Sequence, residues 1–167
     1  MSKREVIGFY KPEEENGYLS NWYRATFMLD GILYFCMEQY MMYKKAELFE
    51  DEEAVEKILE SMDQAEIKDL GRGVKNYDDE EWSGRRQLIV YKGLLAKFEQ
   101  NPNLKEELLS TGDAILAECA KGDKIWGIGL AVTNERYLDP EKWNGQNLLG
   151  YTLMEVREAL EHEQRED

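Results

Sequence analysis

The sequence predicts an α+β fold that is predominantly helical, a single compact domain with a small β-sheet or hairpin. Helical periodicity of apolar residues recurs along most of the chain. An Asp30-Gly31 pair sits between two short apolar runs, a strong hairpin signal. No βαβ series of the kind a doubly wound sheet needs is present. The chain has 167 residues, of which 43% are hydrophobic, enough for one domain with a sizeable core.

Residues 6–10 read as a short strand, and 11–17 as a polar loop with breakers at both ends. Residues 19–22 restart ordered structure, and 25–29 with 32–35 form the hairpin. A helix is expected over 38–49. Asp51 is placed to cap a second helix over 52–60, with Ala54, Val55, Ile58 and Leu59 inward. Asp63 is placed to cap a third, ending at Gly71 as a left-handed C′ residue. The longest helix is expected over 79–99, followed by a short one over 104–109. Residues 114–120 read as a further short helix, 124–130 as a short strand or ordered loop, and 143–146 as a turn. Asn147 is placed to cap a last helix carrying the stripe Leu148, Leu149, Leu153, Val156 and Leu160. From Glu158 the chain is highly charged and expected to fray. The domain is expected over 6–160, with 161–167 as a charged C-terminal tail.

Composition narrows the function classes. The formal charge is −14, with 35 acidic against 21 basic residues. That field disfavours free nucleic acid, and no basic patch overrides it. A small phosphorylated ligand held by one or two buried cations stays compatible, as does a modified base within a nucleic acid. The single histidine, His162, lies in the polar end, so no histidine metal site or Ser-His-Asp triad is expected. Two cysteines, Cys36 and Cys119, form no framework and read as small packed hydrophobes in a reducing compartment. No signal peptide or membrane span is expected, and the cytoplasm is the expected location. Oligomeric state stays open.

Three groups of residues could carry chemistry. Glu38 and Lys45 are seven positions apart on one expected helix, nearly two turns, so both face one side with Met41 and Met42 between them. They read either as the two ends of a semi-apolar groove or as surface charges beside a core stripe. Trp126, Gly127, Ile128 and Gly129 closely follow Asp123. Glycine amides can bind anionic oxygens and a tryptophan can stack on a base, although a packed aromatic on a tight turn reads equally well. Arg72 has a guanidinium fork suited to phosphate, or is a helix-end charge facing water.

Several segments together carry a family pattern: 9–10, 19–22, 37–40 with Lys45, 70–72, Trp82, 97–100, 109–111, 116–118, 123–127, and 147–150 with Leu153, Met154 and Arg157. In this order and spacing the chain resembles the YbiA-like, or NADAR domain, family over residues 9–160. The resemblance implies an N-glycosidase. One branch of the family cleaves early phosphoribosylamino-pyrimidine intermediates of riboflavin synthesis, and others are linked to ADP-ribose chemistry, including its removal from modified bases. It further implies Glu38 and Asp123 as catalytic residues. Phe9, Asn21, Lys45, Arg72, Trp82, Trp126 and Gly127 are implied as ligand-binding residues. The family often has Ser-Glu-His where this chain has Met37, Glu38 and Gln39. Some members carry an Asp after Trp-Gly, where this chain has Ile128.

The implied reaction hydrolyses the bond between a base or amine and a phosphorylated ribosyl or ADP-ribosyl group. Glu38 would stabilise positive charge at C1′ or activate water, and Asp123 would help the leaving nitrogen. Lys45 and Arg72 would hold phosphate, and Trp126 or Trp82 would cover the base. No metal or redox cofactor is demanded. Two other classes fit the same residues: a non-catalytic ADP-ribose or nucleotide-binding module, and an acidic protein-interaction protein.

Overall fold

A computed structural model describes residues 4–166. Asp167, the last residue of the expected tail, lies outside the described residues. The chain divides into two compact units. One is Arg24–Asn101, and the other comprises the chain up to Tyr23 and from Pro102 onward. Six α-helices and four short strands lie among the described residues, so the architecture is α+β and mostly helical. None of these helices is long and apolar enough to cross a membrane.

The Arg24–Asn101 unit begins with the expected hairpin. Strands β2 (Phe27–Leu29) and β3 (Ile32–Tyr34) pair antiparallel, with Met28 opposite Leu33. Asp30 and Gly31 both have positive φ, 51° and 82°. This is the turn whose twist matches that of the flanking strands. Alternation sends Phe27 and Tyr34 inward and Met28 and Leu33 to solvent. The Gln100 side chain closes the free edge of β2. It accepts from the Met28 amide at 2.7 Å and donates to the Met28 carbonyl at 2.7 Å, as a neighbouring strand would.

Helix α1 (Met37–Leu48) lies at the centre of this unit, packed by α2 (Glu52–Glu60), α3 (Gln64–Arg72) and α4 (Asp79–Gln100). Each of these neighbours starts on a capping aspartate. Asp51 accepts from Ala54 N, Asp63 from Ala65 N and Asp78 from Glu81 N, at 2.9–3.1 Å. Asp51 also accepts from Lys75 N, which ties the chain after α3 to the start of α2. On α2, Ala54 and Ile58 are buried as expected. Val55 is only half-buried and Leu59 is exposed, because the helix meets its neighbours along a narrow face.

Gly71 does not end α3 as a left-handed cap. It is helical, the helix runs on to Arg72, and the C-cap Gly73 has φ −93°. Its role is steric: a Cβ there would run into the Met42 side chain of α1. Gly93 does the same for α4, where a Cβ would collide with the Tyr40 ring. Lys97, one turn further along α4, is wholly buried.

The other unit is built on a parallel pair, β1 (Val6–Phe9) with β4 (Ile115–Glu118). The expected helix over 114–120 is therefore wrong. Ala, Leu and Glu favour helix there, but Leu116 and Ala117 are fully buried between β1 and α6 (Leu148–Glu166). A strand covered on both faces shows an apolar run without alternation, which a sequence cannot tell from a helix. Helix α5 (Pro102–Ser110) packs against α6, whose Leu149, Leu153, Val156 and Leu160 are fully buried. Leu148 is only half-buried, and α6 continues to Glu166 rather than fraying from Glu158.

Asn147 precedes α6, but not as an ordinary N-cap. Its φ is 53°, and its side chain leaves the helix to clasp β4. Oδ1 accepts from Glu118 N at 3.0 Å, and Nδ2 donates to the Leu116 carbonyl at 2.8 Å. The outer edge of β4 is closed by this side chain together with the Ile128 amide, which donates to the Glu118 carbonyl at 2.8 Å.

Two substitutions on α4 should move stability in opposite directions. Gly84 faces open space, so Gly84→Ala should stabilise by about 0.5–1 kcal/mol through helix propensity. Gly93→Ala should cost about 1–3 kcal/mol, because the Tyr40 ring must move. Urea unfolding of both variants measures the difference. Burial also pulls the Lys97 ammonium down to about 7. In the window from about 7 to the unfolded-state value of about 10.4, the unfolded chain binds the extra proton, so this lysine costs stability at low pH and less as pH rises. Lys97→Met should therefore gain most over the wild type at pH 7, with the gain shrinking toward pH 10. A pH-independent difference in unfolding free energy would contradict this.

Candidate functional site

Within the Arg24–Asn101 unit, three of the expected site residues converge. Glu38 lies in the first turn of α1 and is buried, 5% exposed, although it carries a carboxylate. Lys45, two turns along the same face, is half-buried. Burial lowers its pKa below the ordinary lysine range. Glu38 and Asp79 oppose that shift, and the Arg72 guanidinium adds to it by repulsion. Glu38, Lys45 and Arg72 thus share one electrostatic neighbourhood. Arg72 itself is largely exposed and pairs loosely with Asp69 at 3.9 Å.

The groove between Glu38 and Lys45 is not simply a strip of thioethers. Met41 and Met42 are buried, and Met42 fills the notch left by Gly71 on α3. The Lys45 ammonium instead stands 4.6 Å over the ring of Tyr77. That ring packs edge-on to Phe49 at 5.4 Å, and its hydroxyl donates to Asp79 at 2.7 Å. Tyr77 and Asp79 escaped sequence reasoning. The loop between α3 and α4 shows only its turn chemistry, Asn76 at φ 63° and the cap Asp78. Trp82 follows in the first turn of α4 and is buried.

Gln39, where the family often has histidine, is a structural clamp. It is 3% exposed. Its Oε1 accepts from the Phe35 amide at 2.9 Å, and its Nε2 donates to the carbonyls of Ile58 at 3.1 Å and Ser61 at 3.4 Å. One amide group joins the end of the hairpin, the start of α1 and the end of α2. Its neighbour in sequence on α1 is Glu38.

In the other unit, Asp123, Trp126 and Gly127 form one turn. Asp123 Oδ1 accepts from the amides of Ile125 and Trp126, both at 2.9 Å, so it organises the turn it begins. Trp126 is half-buried. Gly127 is required by close packing: a Cβ would lie 2.9–3.0 Å from Asp123 O, Ala120 Cβ and Glu118 O. Its carbonyl accepts from the Asn147 amide at 3.0 Å. Ile128, where some members carry Asp, is fully buried with Ala117, Cys119 and Leu130. Phe9 and Asn21 belong to this unit but not to the turn. Both are buried, Phe9 at the end of β1, and Asn21 with an Oδ1 that accepts no hydrogen bond among the described residues.

N-glycosidase R617 of Acanthamoeba polyphaga mimivirus is 42% identical over 144 residues, 83% of this chain and 85% of its own length. The riboflavin biosynthesis protein VVA0006 of Vibrio vulnificus is 32% identical over 94% of this chain and 39% of its own length. The NMR structure of the Escherichia coli protein YbiA matches all of this chain and 91% of its own, with a TM-score of 0.82 and 30% identity. The family model of the NADAR domain matches residues 8–161, and the chain belongs to that family.

Proposed function

We propose that this chain hydrolyses the N-glycosidic bond between a base or amine and a phosphorylated ribosyl group, of the phosphoribosylamino-pyrimidine or ADP-ribosyl type. It is a hydrolase acting on N-glycosyl compounds, as the names of its relatives R617 and YbiA indicate. The substrate class and the residue roles are our reading, as is the assignment of residues 6–160 to one working domain. The observation that carries it is the buried Glu38 carboxylate on the same helix face as a partly desolvated Lys45, with Arg72 beside it.

The chemistry follows from those groups. As the C1′–N bond breaks, positive charge spreads over C1′ and the ring oxygen. A carboxylate held out of water stabilises that charge more strongly than solvent does. Glu38 then takes a proton from the attacking water, whose oxygen bonds to C1′. The leaving nitrogen gains a proton, and Asp123 is our candidate to assist it. Lys45 and Arg72 are suited to phosphate oxygens, one as a point charge and one as a fork. Trp126 or Trp82 is suited to cover the base, and Phe9, Asn21 and Gly127 complete the proposed binding set.

Four variants test the assignment. Glu38→Gln keeps size and hydrogen-bonding capacity but removes charge, so base release in a single-turnover assay should fall by about 10²–10³-fold with the fold intact. An unchanged rate would remove Glu38 from the mechanism. Lys45→Ala should weaken binding of a phosphorylated ligand more than of its dephosphorylated analogue, and equal weakening would argue against a phosphate role. Asp123→Ala should cost about 1 kcal/mol by loosening its turn, measured by urea unfolding. A rate loss that Asp123→Asn reproduces at near-native stability is what a catalytic Asp123 requires.

A further inference from the structure

The β1–β4 pair has two outer edges, and they are treated differently. That of β4 is closed by Asn147 and the Ile128 amide. The register of β1, with Ile115 N donating to Glu5 O and Cys119 N to Phe9 O, turns the polar backbone of Glu5, Ile7 and Phe9 toward β4. The backbone groups of Val6 and Gly8 therefore point the other way. Among the described residues no strand pairs with that edge, and the one side chain recorded on it is Asn16, whose Nδ2 donates to the Gly8 carbonyl at 3.3 Å.

A groove of about 420 Å³ runs beside this open edge. Tyr10 and Val132 line it while remaining 47% and 46% exposed. Its charged lining is Glu5, Glu14 and Glu15, all exposed, and no lysine or arginine among the described residues lines it. The nearby Arg4 is turned away, its guanidinium donating to the Asp113 carbonyl. Tyr137 lines the groove as well, and its ring lies beside Gly8. A Cβ on Gly8 would lie 3.1 Å from that ring.

We propose that this groove docks an extended, basic peptide segment of a partner protein, which adds to β1 as a third strand. The main chain of the peptide would pair with Val6 and Gly8. Its apolar side chains would lie against Tyr10 and Val132, and its lysines or arginines would face the three carboxylates. Strand addition takes affinity from the backbone and specificity from alternate side chains. A second copy of this chain is the wrong occupant. Pairing two such edges would set the carboxylate rims against each other in a protein of net charge −14. The argument for this surface does not rest on the hydrolytic reading, although Phe9 of the proposed binding set also lines the groove, and its test uses no substrate.

The probe is a short fluorescent peptide alternating lysine and valine, titrated against the full chain and followed by anisotropy. It should bind, and the glutamate-valine counterpart should not. Methylating alternate backbone nitrogens of the peptide, which leaves its charge intact, should weaken binding about tenfold or more by removing strand pairing. The double substitution Glu5→Lys with Glu15→Lys should weaken it to a similar degree. Hydrogen exchange at the Val6 and Gly8 amides should slow when the unmodified peptide is present. Three results would overturn the proposal: no binding at millimolar peptide, equal binding of the methylated peptide, or a dimer of the free chain that excludes the peptide. The methylated-peptide arm leaves the protein untouched, so it holds even if the charge-reversed variant folds poorly.

Discussion

The Arg24–Asn101 unit depends on the enclosure of α1. A helix surrounded by three others must let two backbones come close, and this one does so through glycines it does not itself carry. Gly71 of α3 receives Met42, and Gly93 of α4 receives Tyr40. A consequence is that α1 has little face left for water, and its charged residues are held in a drier setting than their spacing implies. Glu38 is buried outright, and burial is the leading cause of the depressed Lys45. The carboxylate and ammonium are each costly to bury alone. Placed two turns apart on one face, they offset part of that cost for each other. Close packing therefore produces the polarity of the site as much as residue choice does.

The same logic of close approach governs the turn that carries Asp123 in the other unit. Gly127 packs against the backbone of Glu118 and Asp123, and a Cβ on Gly145 would collide with the Gly127 carbonyl. Asn147 then spends its side chain on β4 and its amide on Gly127. One residue in a left-handed conformation thereby ties a strand, a turn and the start of a helix together. Asp123 is oriented by its own bonds to the Ile125 and Trp126 amides. Its carboxylate has a structural duty whatever chemistry it performs.

How much of this was legible follows from the range of the interactions involved. The hairpin and the caps Asp51 and Asp63 rest on contacts within a few residues, so they can be read from local pattern. β4 could not be read this way, since its partner β1 lies more than a hundred residues away and its own composition favours helix. Gly71 looked like a helix stop because a local rule says so, whereas a contact with α1 sets its role. The Glu38–Lys45 row was visible in the seven-residue spacing. Tyr77 under Lys45 was not, because nothing in a single sequence says where a loop returns. The wholly buried Lys97 sits in a stretch that matched the family without any hint of its environment.

The two departures from the family pattern gain meaning from where they fall. Ile128 fills an apolar cluster in which an aspartate would need a partner, so this position contributes packing here and no charge. Gln39 uses its acceptor and both its carbonyl contacts at once, which only an amide can do at every pH. A histidine in its place could accept from Phe35 only while neutral, and protonation would turn that acceptor into a donor facing an amide N–H. With glutamine, the clamp next to Glu38 keeps its bonds across the pH range. The clamp therefore adds no titrating group of its own beside Glu38. In the proposed mechanism no imidazole is available at this position, and the proton transfers fall to carboxylates, with the buried Glu38 as the candidate base.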